Sequence, residues 1–133
     1  MHTLSVKTNA QTEIIDITAD VHAAITTARF TNGLCMLYVP HTTAAITINE
    51  SADPSVRRDI LMVLNQMVPW KADYRHREGN SPAHVKSSLM GASEVVAVEN
   101  GRLVLGTWQG IFFCEFDGPR TRKLNVKLLA DTR

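Results

Sequence analysis

The sequence predicts an α+β fold, a single domain over residues 1–133 with strands gathered toward both ends and helices interrupting the middle. Three observations carry that prediction. Stretches near both termini alternate apolar and polar residues at the two-residue period of a half-buried strand. The segment DPSVRRDILMVLNQMVPW repeats its apolar residues at helical spacing instead. Asn100-Gly101 stands between two apolar runs, the strongest short-range hairpin signal.

Taken in order, residues 3–9 and 12–17 alternate around Asn9-Ala10-Gln11, and the first seventeen residues read as a hairpin. A helix follows, N-capped by Thr18 or Asp20 and ended by Asn32-Gly33. Residues 34–39 and 44–49 read as strands. The next helix has Asp53 as N-cap and Pro54 at the first helical position, where a missing N–H costs nothing. Val56, Ile60, Val63, Leu64 and Met67 form its apolar stripe, and Pro69 ends it. Residues 70–80 are polar and irregular. Ser81-Pro82 opens a third helix that stops at Gly91. Strands at 94–99, 102–106, 111–116 and 122–129 complete the chain. The total is about eight strands and three helices.

The length suits one continuous core, and the 44% apolar and 20% charged fractions are ordinary for a folded domain. A net charge of +1 gives no global pull toward nucleic acid or an anionic membrane. No apolar run approaches the roughly 20 residues of a membrane span, and no signal-peptide pattern opens the chain. Cys35 and Cys114 lie in apolar runs, which suits buried free thiols in a reducing compartment; a cytoplasmic protein is expected.

Three clusters carry polar groups in places that ask for a reason. The first is VPHTTAAITINE, where His41 stands at one end of a short apolar strand and Asn49, Glu50 and Asp53 at the other. Asp53 is accounted for as a helix cap, whereas Glu50 is either a solvated charge or a site residue. The second is EGNSPAHVKSSL, a helix start whose free N–H groups and dipole favour an anion, with Lys86, Ser87 and Ser88 adding donors. A capped helix with a solvated lysine explains the same residues. The third is GTWQGIFFCEFDGPRTRK. Alternation puts Ile111, Phe113 and Glu115 on one face, so the Glu115 carboxylate must be paired, at a sheet end or facing a cleft. Arg120 and Arg122 are its natural partners and also suit phosphate. Gln109 and Trp108 sit in a glycine-bounded turn.

Of five histidines, His41, His76 and His84 have small or polar neighbours. Three imidazoles with an open fourth position make a standard catalytic zinc arrangement, yet no metal-ligand spacing links these three, and on spacing alone three unrelated polar histidines are the better reading.

Read together, PHTTAAITINESADPSVRRD, YRHREGNSPAHVKSSLMG and GRLVLGTWQGIFFCEFDGPRTRK resemble the YjbQ-like family, some members of which are labelled secondary thiamine-phosphate synthase. The family pattern is matched at His41-Thr42-Thr43-Ala44, Asn49-Glu50, His76, Glu78-Gly79-Asn80, Ala83-His84-Val85-Lys86, Gly106 to Gly110, Glu115 and Gly118-Pro119-Arg120. The loop before Asn80 is shorter than in many relatives. The resemblance implies a large, mostly antiparallel mixed sheet, a homotrimer, and a polar cleft near subunit contacts fed by both ends of the His41–Glu50 strand. It implies a divalent metal on His41, His76 and His84. Zinc suits imidazole, while magnesium suits diphosphate chemistry. It further implies Glu50, Glu115 and His41 as catalytic groups, and Asn49, Asn80, Lys86, Ser87, Gln109, Arg120 and Arg122 as contacts to a small phosphorylated metabolite. The implied reaction joins hydroxymethylpyrimidine diphosphate to a thiazole phosphate and releases pyrophosphate. Two rivals stand beside it: a zinc-dependent hydrolase of a phosphorylated or carbonyl metabolite with Glu50 or Glu115 as base, and a non-catalytic trimeric protein that binds a small anion.

Overall fold

The computed structural model describes residues 1–132. Its elements run β1 (His2–Lys7), β2 (Glu13–Asp16), α1 (Thr18–Thr27), β3 (Gly33–Tyr38), β4 (Ala44–Glu50), α2 (Pro54–Met67), α3 (Ser81–Met90), β5 (Ser93–Glu99), β6 (Arg102–Leu103), β7 (Gln109–Glu115) and β8 (Thr121–Ala130). The eight strands divide between two sheets, one of five in the order β1-β8-β3-β5-β6 and one of three in the order β2-β7-β4. Every pairing is antiparallel.

Side-chain alternation then builds two cores from one sheet. Ala44 and Ile46 of β4, with Ile111 and Phe113 of β7, face the five-stranded sheet and pack there with Leu37, Val96, Leu124 and Val126. Val21 and Ile25 of α1 join the same core. Ala45, Phe112 and Cys114 point the other way and pack under α2 and α3 against Leu64 and Ala83. Burial on both faces explains why β7 reads as an almost unbroken apolar run. Among the described residues nothing covers the outer face of the five-stranded sheet, and Leu34, Tyr38, Val95 and Leu129 are exposed on it.

The expected N-terminal hairpin does not form. β1 pairs with β8, and β2 pairs with β7 in the other sheet. Residues 8–11 instead run beside the connection between β7 and β8: Thr8 N–H donates to Arg120 O at 2.9 Å, and Gly118 N–H to Gln11 O at 3.0 Å. Alternation reports that a segment is a strand, not which strand it meets. Gly118 permits the approach, since a Cβ there would run into Ala10 O, Glu115 Cγ and Thr8 Oγ1.

Helix boundaries differ in instructive ways. α2 begins as expected, with the Asp53 carboxylate accepting from Ser55 N–H at 2.9 Å. α1 ends earlier than Asn32-Gly33. Arg29, at φ 52°, takes the left-handed position after Ala28, and Arg29 and Phe30 N–H return to Thr26 O and Ile25 O. That double bond pattern is a Schellman motif. At the start of α1 neither Thr18 nor Asp20 caps; Asp16 accepts from Thr18 N–H at 2.9 Å. Asn80, not Ser81, occupies the N-cap position of α3, without a side-chain cap bond. Asn100 and Gly101 both have positive φ, as the β5–β6 hairpin turn requires.

Candidate functional site

The place where the two sheets part is the place with chemistry. Glu115 ends β7 on the face that carries Ile111 and Phe113, and Arg122 starts β8 on the face that carries Leu124 and Val126. Both point into the space between the sheets, and both are almost wholly buried. Arg122 Nε donates to the two Glu115 oxygens at 2.9 and 3.0 Å, and Nη2 also meets Oε2. Thr8 Oγ1 donates to Oε1 at 2.8 Å and Asp117 N–H to Oε2 at 3.1 Å. Burial pushes the Glu115 carboxyl up, but the donors from Arg122, Thr8 and Asp117 outweigh it and hold it below the usual carboxylate range. With both oxygens engaged, Glu115 is not placed as a general base. It fixes Arg122, whose Nη2 also donates to Thr43 Oγ1 at 2.8 Å and Thr43 O at 3.1 Å.

His41 lies in the connection from β3 to β4, beside this pair. β3 ends at Tyr38, opposite Asn125, and the His41 ring reaches the β8 backbone beyond that point: Lys123 N–H donates to Nε2 at 2.9 Å. A ring that accepts at Nε2 carries its proton on Nδ1 when neutral. Burial, then the charge of Arg122, lowers the His41 pKa below its ordinary 6.5, so the ring is neutral at pH 7. His41 separates two adjoining depressions. One, of about 520 Å³, is lined by Tyr38, Pro40, Thr42, Thr43, Arg120 and Arg122. The other, of about 480 Å³, is lined by Thr42, His84, Ser87, Ser88, Gly91 and Ala92.

Arg120 is half exposed and held by Asp117, through Nε to the carbonyl at 3.0 Å and Nη2 to the carboxylate at 3.2 Å. Asn80 Nδ2 donates to the same carboxylate at 2.9 Å, so Asn80 reaches Arg120 through Asp117. Its Oδ1 is buried without a partner. Ser87 donates to Ala44 O at 2.6 Å and pins α3 to the start of β4.

Other expected site residues lie elsewhere. Lys86 is 2% exposed and lines neither depression; its Nζ donates to Asn65 Oδ1 of α2 at 2.6 Å. Burial lowers its pKa. Asn49, Glu50 and Gln109 stand at the far end of β4, around a shallower depression of about 300 Å³ with Ile48 and Trp108. Strand rise is roughly 3.3 Å per residue, so the seven residues of β4 put its ends about 20 Å apart. Within one chain, therefore, the two ends do not feed one pocket.

The histidines come part of the way toward a metal site. The His76 and His84 ring centroids are 5.3 Å apart, edge to face, about the spacing of two imidazoles that share an ion with Zn–N bonds of about 2.0–2.1 Å. His41 shares a depression with His84, but its Nε2 is occupied by Lys123 N–H. Among the described residues no three His, Cys, Asp or Glu side chains are gathered as an ion cage. Of the expected three-histidine set, the fold brings the His76 and His84 rings together, while His41 is held on Lys123 N–H.

Thr8, Asp117 and the Lys123 N–H escaped the sequence reading. Thr8 and Lys123 act across more than eighty residues of sequence, so no local pattern reveals them; Asp117 pairs with Arg120 three residues on, a spacing that could have found it. Cys35 and Cys114 are free and buried, with thiol pKa values pushed up to about 11 and about 12. No helix is long and apolar enough to cross a membrane.

The UPF0047 protein YjbQ-like family model matches residues 2–131. UPF0047 protein YugU of Bacillus subtilis is 54% identical over 130 residues, covering 97% of this chain and 98% of that protein. A UPF0047 protein of Methanocaldococcus jannaschii is 51% identical over 126 residues, covering 95% and 91%. The crystal structure of an uncharacterized YjbQ/UPF0047 protein from Clostridium acetobutylicum superposes with a TM-score of 0.94 at 52% identity, over 97% of this chain and all of that one. With full-length agreement in both sequence and fold, this chain belongs to the YjbQ (UPF0047) family.

Proposed function

We propose that the chain is a small-molecule enzyme that takes a phosphorylated metabolite at the His41 end of β4, with chemistry like that of a secondary thiamine-phosphate synthase. The observation that carries this reading is the convergence of Arg120, Thr42, Thr43 and a neutral His41 on one depression, backed by the buried Arg122–Glu115 pair. Guanidinium groups bind phosphate oxygens bidentately, and hydroxyls and an imidazole N–H add donors. In the proposed reaction the thiazole nitrogen forms a bond to the pyrimidine methylene carbon. The methylene–oxygen bond breaks, and pyrophosphate leaves with the electron pair. Arg120 holds the departing diphosphate, and His41 Nδ1–H donates to it as its charge grows. A divalent ion at His76 and His84 would neutralise part of the same charge. The buried thiols suit a cytoplasmic setting. A homotrimer with the cleft near subunit contacts suits the uncovered apolar sheet face, which reaches the site through Tyr38.

The test is pyrophosphate release from hydroxymethylpyrimidine diphosphate and thiazole phosphate. Release is expected only with both substrates, with turnover lost in a folded His41→Ala variant. Arg120→Ala should raise KM about tenfold or more, the worth of a charged hydrogen-bond pair. No release with magnesium or zinc present would sink the synthase reading. A rise in Tm with pyrophosphate but without turnover would make the chain a binding protein. The hydrolase reading rests on the His76–His84 pair. Near-stoichiometric zinc by elemental mass spectrometry, lost in His76→Ala/His84→Ala, would favour it; no zinc would remove it.

A further inference from the structure

The Glu50 end of β4 lies about 20 Å along the strand from the end that follows His41, and is built for a ligand of opposite charge. Its depression joins an indole, a carboxylate and two amides: Trp108, Glu50, Asn49 and Gln109. Trp108 is 64% exposed, which is unusual for so large an apolar ring. Its loop is nonetheless tied down on both sides. Gly106 N–H donates to Gln109 Oε1 at 2.7 Å, and Gln109 N–H returns to Gly106 O at 3.1 Å. Ser51 N–H donates to Trp108 O at 2.8 Å, which locks the loop to the end of β4. The indole is thus presented on a fixed turn rather than a loose one.

Glu50 is held in the same manner. Ala52 N–H donates to its Oε2 at 3.1 Å, leaving Oε1 unengaged, and among the described residues Glu50 forms no ion pair. Nothing basic lines the depression. An aromatic face beside an unpaired carboxylate attracts a cation twice, through the ring quadrupole and through the charge. The set opposes the arginine-rich end in every respect, and a phosphate would be repelled by it.

We infer that the Glu50 end of β4 is a separate binding site for a small organic cation, an amine or quaternary ammonium, with Trp108 as its aromatic face and Glu50 as its counter-charge. The site stands independently of the phosphate reading at the other end.

The test is a titration of the ¹⁵N-labelled full chain with choline chloride at constant ionic strength. The readout is the indole N–H resonances of the two tryptophans, assigned with Trp108→Phe. The Trp108 resonance is expected to shift saturably while that of Trp70 stays in place. Glu50→Gln should weaken binding about fivefold. The uncharged carbon isostere of choline, 3,3-dimethyl-1-butanol, should leave the Trp108 resonance unmoved at the same concentrations, a comparison that needs no variant. An unmoved Trp108 resonance overturns the proposal. So does equal binding of the isostere, which would make the depression a merely apolar contact, and so does unchanged affinity in Glu50→Gln. Trp108 protected from acrylamide quenching and unresponsive to choline would assign the indole to a contact with a second copy, and would also overturn it.

Discussion

The two ends of β4 both gather polar side chains, basic at one and acidic at the other, and are held by different kinds of bond. At the Glu50 end the side chains bond within a few residues of themselves: Asn49 Oδ1 to Glu50 N–H, Glu50 Oε2 to Ala52 N–H, Gln109 Oε1 to Gly106 N–H. At the His41 end nearby pairs such as Arg122–Glu115 and Arg120–Asp117 are joined by bonds that cross the molecule: Thr8 to Glu115, Arg122 to Thr43, His41 to the β8 backbone. Local bonds shape a turn and leave charge facing water. Long-range bonds seal charge inside and make the site part of the fold's stability. The contrast teaches that polar residues at a strand's end have no single meaning until their partners are known.

The contrast breaks first, and most, at Arg122. Arg122→Met leaves the Glu115 carboxylate buried without its counter-charge, a loss of about 3–5 kcal/mol by urea unfolding. Arg122→Met/Glu115→Leu should regain most of that, because the uncompensated charge is gone. A single variant as stable as wild type would mean the pair carries no such weight. A smaller effect follows from pH. The folded His41 pKa lies below its ordinary 6.5, so the unfolded chain takes the proton first as acid is added. Stability from this group is fully present above 6.5 and is lost as pH falls through the window between the ordinary and the folded values. The slope of Tm against pH in that window should flatten in His41→Asn. An unchanged slope in His41→Asn would show that another group titrates there. The smallest effect belongs to Glu50→Gln itself. With only a neighbouring N–H to satisfy, it should alter stability by no more than about 0.5 kcal/mol. A larger loss would mean that the Glu50 end is as deeply built into the fold as the other.

How much was legible follows the same division. α2 could be read because its cap, its proline and its apolar spacing all lie within one stretch, and Asp53 caps it as expected. The β5–β6 turn could be read because Asn100 and Gly101 alone dictate its backbone. The partnership of Glu115 with an arginine could be read from one misplaced charge in an apolar strand, since burial demands a counter-ion. The choice of Arg122 over Arg120 could not, because it depends on the turn before β8, where Arg120 is held outward by Asp117 while Arg122 enters the strand on its buried face. Nor could the fate of Lys86, whose helix packs its ammonium toward Asn65 rather than toward the site. The end of α1 was missed because Arg29 takes a position where glycine is usual. The N-terminal hairpin failed because each of its strands found a better partner about a hundred residues away or more, β1 in one sheet and β2 in the other.

That last pairing sets a timetable. β8 lies between β1 and β3, so the five-stranded sheet cannot close until the final strand has been made. The same strand brings Arg122 and the Lys123 N–H that holds His41. A chain made only as far as β7 therefore exposes β1 without a partner and carries Glu115 and His41 without theirs. Contacts so distant in sequence form slowly and leave edges open meanwhile. Assembly of the His41 end and completion of the five-stranded sheet therefore become one event, which waits on β8.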